Sequence, residues 1–150
     1  MKWHRRFIEM AELVSTWSKD PSTHVGCVLV NPATRTVIAT GYNGIPRDVV
    51  DTPRRMLERP VKYEWMEHAE RNAVYDAARR GVSTAGCVAY LNWRPEGVCS
   101  GCARALLQAG VTRVIGPDKP FAGKGAGEHY DLSGVAGRMF AEAGIEVVVV

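Results

Sequence analysis

Three times in 150 residues an amphipathic stretch stops at a glycine with an apolar run to follow: Arg80-Gly81-Val82, Ala109-Gly110-Val111 and Ala143-Gly144-Ile145. Glycine takes the left-handed C-cap at least steric cost, so each junction reads as a helix end followed by a strand. Helices that connect successive strands imply right-handed crossovers and a mainly parallel sheet covered on both faces. The apolar spacing predicts helices over 67–80, 100–109 and 132–143 and strands over 87–92, 111–115 and 145–150. The last run, Ile145-Glu146-Val147-Val148-Val149-Val150, fits a strand buried on both faces. Upstream, Trp3, Phe7, Met10, Val14 and Trp17 recur at three- and four-residue steps, which predicts a first helix with this aromatic stripe in the core. Runs 25–31 and 36–41 flank Pro32-Ala33-Thr34-Arg35 as a hairpin. The polar stretch 42–63, punctuated by Pro46, Pro53 and Pro60, reads as a long loop of the kind that often carries function. The expected fold is α/β: a three-layer sandwich with a mixed five-stranded sheet (edge hairpin plus parallel strands) and helices on both faces, in a single domain over 1–150.

Two segments at the starts of the second and third long helices carry the chemistry: His68-Ala69-Glu70 and Cys99-Ser100-Gly101-Cys102. They supply one imidazole and two thiols, with a carboxylate that need not bind metal. Catalytic zinc sites use three such protein ligands and keep a fourth position open. Cys99 and Cys102, three residues apart, can lie on one helical face and reach one ion. Helix N-termini bring backbone N–H groups and a positive dipole end, which favour thiolates. Glu70 would then stand beside a water and carry its proton. His-x-Glu with Pro-Cys-x-x-Cys is the pattern of zinc nucleobase deaminases, and Val98 stands where its proline is expected. A thioredoxin-like redox pair or half of a structural zinc knuckle would also contain Cys-x-x-Cys. The redox reading leaves His68 and Glu70 unexplained. A Cys₄ site would need Cys27 and Cys87, which lie far apart in apolar strands and read as packing residues.

A hydrophobic content of 46% is enough for a real core. Met1-Lys2-Trp3-His4-Arg5-Arg6 does not resemble a secretory signal, and no apolar run approaches the ~20 residues of a transmembrane helix. Cysteines without such a signal point to a reducing, cytoplasmic location. The net charge of +3 suits a small anionic substrate and gives little support to a nucleic-acid partner.

With these segments stand Ser18-Lys19-Asp20-Pro21 leading into Val25-Gly26-Cys27, Gly41-Tyr42-Asn43-Gly44 with Pro46, Lys62-Tyr63, Arg71-Asn72-Ala73 and Gln108-Ala109-Gly110. On these motifs the chain resembles the deoxycytidylate (dCMP) deaminases of the zinc-dependent cytidine deaminase superfamily, over most of its length to about residue 116. Asn72 is the feature that separates it from tRNA adenosine and guanine deaminases. The resemblance implies hydrolysis of a cyclic-amidine C–N bond, dCMP to dUMP and ammonia, with one Zn²⁺ per chain on His68, Cys99 and Cys102. It implies that Glu70 shuttles protons, Asn43 contacts sugar or base, and the Ala69 backbone reads the pyrimidine edge. It also implies a homo-oligomer, a hexamer or a dimer.

Beyond that, Arg71 is either a thiolate donor tuning the metal or a solvated helix residue. Ser22, Thr23 and His24, in the turn after Asp20-Pro21, are the candidate phosphate contacts, with charge from Lys19 or His24; an ordinary turn would look the same. The glycine-rich segment 121–127 lacks the full P-loop pattern and reads as a loop near the pocket or an oligomer contact. Val98 and the lengthened approach 92–97 border the predicted pocket, which leaves another amine-bearing base possible. A nucleic-acid-editing deaminase and a non-catalytic zinc-binding protein are the rival readings; Glu70 argues against the second.

Overall fold

Alternation along β1 (Gly26–Asn31) and β3 (Val88–Leu91) sorts the core into two layers. Val28, Val30, Val88 and Tyr90 face one side and pack with Ile115 against Phe7, Ala11 and Val14 of α1 (Lys2–Ser15). Cys27, Leu29, Ala89 and Leu91 face the other. There they meet α4 (Ala69–Arg79), α5 (Ser100–Gln108) and α6 (Val135–Glu142) through Ala73, Ala77, Leu106 and Phe140. The computed structural model describes residues 2–119 and 134–150. Its sheet runs β2-β1-β3-β4-β5, with β2 at Thr36–Tyr42, β4 at Arg113–Gly116 and β5 at Glu146–Val149. β1 is antiparallel to both β2 and β3, whereas β3, β4 and β5 are parallel. This is the expected helix-covered mixed sheet with a hairpin at one edge.

The three glycine junctions adopt the expected geometry: Gly81, Gly110 and Gly144 have φ of 66°, 76° and 71°. Gly110 and Gly144 lead almost at once into β4 and β5, whereas a six-residue turn separates Gly81 from β3.

Three expectations need correction. The aromatic stripe of α1 is buried only in part: Phe7 and Val14 are in the core, but Trp3 and Trp17 are 39% and 51% exposed, and Met10 is exposed as well. The buried arc instead follows Phe7, Ala11 and Val14, and the helix ends at Ser15, so Trp17 lies off it against the edge of Tyr42. β5 is not buried on both faces. It is the last strand of the sheet, α1 is centred on β1 and β3, and Val149 remains exposed. Finally, 42–63 is not all loop. Thr52 caps a short helix α2 (Pro53–Leu57) by accepting from Arg55 N–H, and α3 (Val61–Trp65) follows. A Thr-Pro start is a helix signal, but five-residue helices show no apolar period to detect. Segment 121–127 and Leu132 lie outside the described residues.

Candidate active site

His68 is the N-cap of α4 and Cys99 the N-cap of α5, so two helix starts converge on one point. Backbone hydrogen bonds in both directions between Gly44 and Glu67 tie the segment after β2 to the entrance of α4. Asn72 Nδ2 donates to Tyr42 O at 2.8 Å and adds a second tie. Gly41 makes the close approach possible: a Cβ there would lie 2.2 Å from Ala69 O and 2.3 Å from Ala73 N. The first turn of α4 is thereby pressed onto the sheet.

His68 Nδ1 lies 3.4 Å from Cys99 Sγ and 3.4 Å from Cys102 Sγ, and the three donor atoms fall within 4.8 Å of one another. Zn–S and Zn–N bonds of about 2.3 and 2.0 Å at tetrahedral angles require N···S edges of about 3.5 Å. The donor set and its spacing therefore fit a zinc ion. Cys99 Sγ accepts from Cys102 N–H at 3.4 Å, the thiolate-stabilising contact of a helix N-terminus. The hydrogen bond from Cys102, assisted by His68 and opposed by burial, holds the Cys99 thiol down to about 3. Cys102 moves the other way, raised by sharing that proton and by burial. The two opposite shifts belong to the pair, which shares one hydrogen bond, and a bound metal would take both sulfurs as thiolates.

Glu70 is 2% exposed, with Oε2 3.5 Å from Cys102 Sγ. Burial raises its carboxyl above the ordinary range, against the attraction of His68. For His68, burial acts downward, but the hydrogen bond with Cys99 and the charge of Glu70 raise it overall. Arg71 bonds Glu67 at 2.5 Å, and no hydrogen bond to a thiolate joins it among the described residues. The cysteines reach it as charge: burial lowers its pKa, but Cys102 and Glu67 outweigh that and raise it.

A pocket opens over these groups, lined also by Asp20, Thr23, Asn43, Arg59, Lys62 and Trp93. Its far wall is a buried polar network that sequence reasoning did not assemble. Asp20 Oδ1 accepts from Lys62 Nζ at 2.7 Å, from Ser22 N–H and hydroxyl, and from Thr23 N–H. Asn43 Nδ2 donates to Asp20 Oδ2 and to Thr23 O, and Asn43 Oδ1 accepts from Val25 N–H. Ser18-Lys19-Asp20-Pro21 and Lys62-Tyr63 are each visible as sequence motifs, but nothing local pairs them. Of the candidate phosphate contacts, only Thr23 lines the pocket. Ser22 is exposed and committed to Asp20 and Lys62, His24 is exposed with its ring on Asp20 O, and Lys19 pairs outward with Asp51.

Val98 explains itself here. Its φ of −59° is one that proline favours, but its N–H bonds Pro95 O at 3.3 Å and closes the 3-10 turn Pro95–Gly97. Proline has no such donor, so the lengthened approach to Cys99 needs a residue with an N–H at this position.

The fold is the cytidine deaminase-like three-layer α/β sandwich. It superposes on the dCMP deaminase of cyanophage S-TIM5, in a crystal structure with dCMP and dUMP, with a TM-score of 0.74. That match has 23% identity and covers 97% of this chain and 95% of the phage chain. Residues 1–116 match the family model of the cytidine and deoxycytidylate deaminase zinc-binding region, and the chain belongs to that family. An uncharacterized deaminase from the luxG 3′ region of Aliivibrio fischeri is 38% identical over 97% of this chain and 92% of its own length. Mouse deoxycytidylate deaminase is 34% identical over 77% of this chain, which spans only 64% of the mouse enzyme.

Proposed function

We propose that this chain hydrolyses the C4 amino group of a cytosine nucleotide, converting dCMP to dUMP and ammonia with one zinc per chain. The observation that carries the reading is a buried carboxylate, Glu70, set beside three convergent metal donors without belonging to them. His68, Cys99 and Cys102 would hold the ion. The chemistry zinc supplies when bound is Lewis acidity, which makes water nucleophilic near neutral pH. Glu70, its carboxyl already biased toward protonation by burial, takes the water proton at Oε1, the oxygen not turned to Cys102. It delivers that proton to ring N3, then takes the proton of the hydroxyl now on C4 and passes it to the departing amine.

The remaining residues bind and orient. Ala69 lies in the first turn of α4, where the N–H has no intrahelical acceptor and can meet the pyrimidine edge. Asn43 has both amide protons committed within the protein, so it meets a sugar hydroxyl through the second lone pair of Oδ1. Trp93, 5% exposed, walls the pocket and keeps water out. Residues 1–150 act as one catalytic domain in this reading. The exposed apolar residues of α1 support a homo-oligomer, and the lack of any helix able to cross a membrane among the described residues accords with a cytoplasmic enzyme.

Ammonia release from cytosine, deoxycytidine, dCMP and dCTP tests the substrate, with dCMP expected to be fastest. Glu70→Gln should keep its zinc by elemental analysis and lose at least about 10²–10⁴-fold in turnover. A Gln variant within about twofold of wild type would overturn the proton role.

A further inference from the structure

The pocket wall poses a problem of charge. A nucleoside monophosphate brings ~1.5–2 negative charges, and outside the metal donors only two lining residues among those described are basic, Lys62 and Arg59. Lys62 is not available. Its side chain is 7% exposed, with Nζ 2.7 Å from the Asp20 carboxylate and 2.6 Å from Ser22 Oγ. Taking it from that pair would leave Asp20 buried and uncompensated. Among the other lining acids, Glu67 is occupied by Arg71 and Glu70 stands at the metal donors. Arg59 differs from Lys62 on every count. It is exposed at the rim, and no described carboxylate pairs with it. Its guanidinium lies over the Tyr63 ring, 5.7 Å from the centroid. A cation–π contact of this kind leaves the guanidinium's N–H donors free for an anion. Ser22 and His24, the turn residues that could have taken a phosphate, do not line the pocket.

We propose that Arg59 is the specificity-determining residue that distinguishes a nucleoside monophosphate from a nucleoside, by pairing its guanidinium with the 5′-phosphate at the pocket rim. The inference rests on the cytosine-nucleotide reading of the same pocket. Lys62 and Asp20 then act only as the neutral frame behind it, and Tyr63 lends the guanidinium a cation–π contact.

The test compares dCMP and deoxycytidine on zinc-loaded wild type, Arg59→Ala, Arg59→Lys and, as a surface control, Arg54→Ala. Arg59→Ala should lower kcat/KM for dCMP about 10- to 100-fold, mainly through KM. It should leave deoxycytidine within about twofold, with Arg59→Lys recovering part of the loss and Arg54→Ala unchanged. Equal losses on both substrates, or none on dCMP, would overturn the proposal. Calorimetric titration of the same proteins with dCMP keeps the two readings apart. If wild type deaminates neither compound yet binds dCMP more weakly after Arg59→Ala, the phosphate contact stands and the cytosine-nucleotide activity fails. If Arg59→Ala binds dCMP as wild type does, Arg59 is wrong whatever the activity.

Discussion

Lys62→Met removes the cation from a carboxylate that is 3% exposed at its side chain. Removing one partner of a buried pair costs about 3–5 kcal/mol because the other charge is left uncompensated. Asp20 keeps donors from Ser22, Thr23 and Asn43, so the low end, about 3 kcal/mol, is expected here. Adding Asp20→Asn removes the stranded charge but sets an amide NH₂ against a donor of the network, so the double variant should recover part of the loss and lie about 1–2 kcal/mol below wild type. The deficit should also depend on pH. In wild type, burial is the largest influence on Asp20 and acts upward, yet hydrogen bonds from Lys62 and Ser22 bring it below its ordinary 3.8. Its stabilisation is therefore fully present above that value and is lost as pH falls through the lower folded value. Without Lys62 the folded pKa moves up, because burial then acts against the Ser22 hydrogen bonds alone, so ionised Asp20 contributes less to stability at neutral pH. Urea unfolding of the zinc-loaded proteins should show the widest gap near pH 7 and a narrower one near about pH 4.5. A neutral-pH deficit below about 1 kcal/mol, or one independent of pH, would refute the reasoning.

Gly41→Ala puts a methyl against backbone atoms of α4, so the helix start must move; stability should fall by about 1–3 kcal/mol in the same unfolding assay. Because His68 and Glu70 ride on that turn, kcat should fall about 10- to 100-fold, and unchanged turnover would show that the contact does not position the site. Val98→Pro matches the backbone φ but deletes the bond to Pro95 O, so a loss of about 1 kcal/mol with full zinc content is expected. Replacing Cys99 or Cys102 by Ser should sharply reduce zinc by elemental analysis, and full occupancy in the double variant would refute the donor assignment.

What the sequence determined by itself is whatever short-range spacing encodes. A glycine closing each of three helices forces a left-handed turn into the next strand, and that local rule is enough to imply a helix-covered, largely parallel sheet. His68-Ala69-Glu70 and Cys99-Ser100-Gly101-Cys102 were legible for the same reason, since each segment is a helix start whose donors are fixed by helical geometry. The tertiary structure decided which residues meet across long separations. Asp20 and Lys62 are 42 residues apart, and only the docking of α3 against the turn before β1 makes them a buried pair. The same holds for exposure. Trp3 and Trp17 share the period of a core stripe, but which arc of α1 is buried depends on where β1 and β3 lie beneath it. β5 is as apolar as an interior strand, yet strand order leaves it at the margin. Periodicity reports the shape of one element; burial and pairing depend on its neighbours, and those are chosen by packing among distant segments.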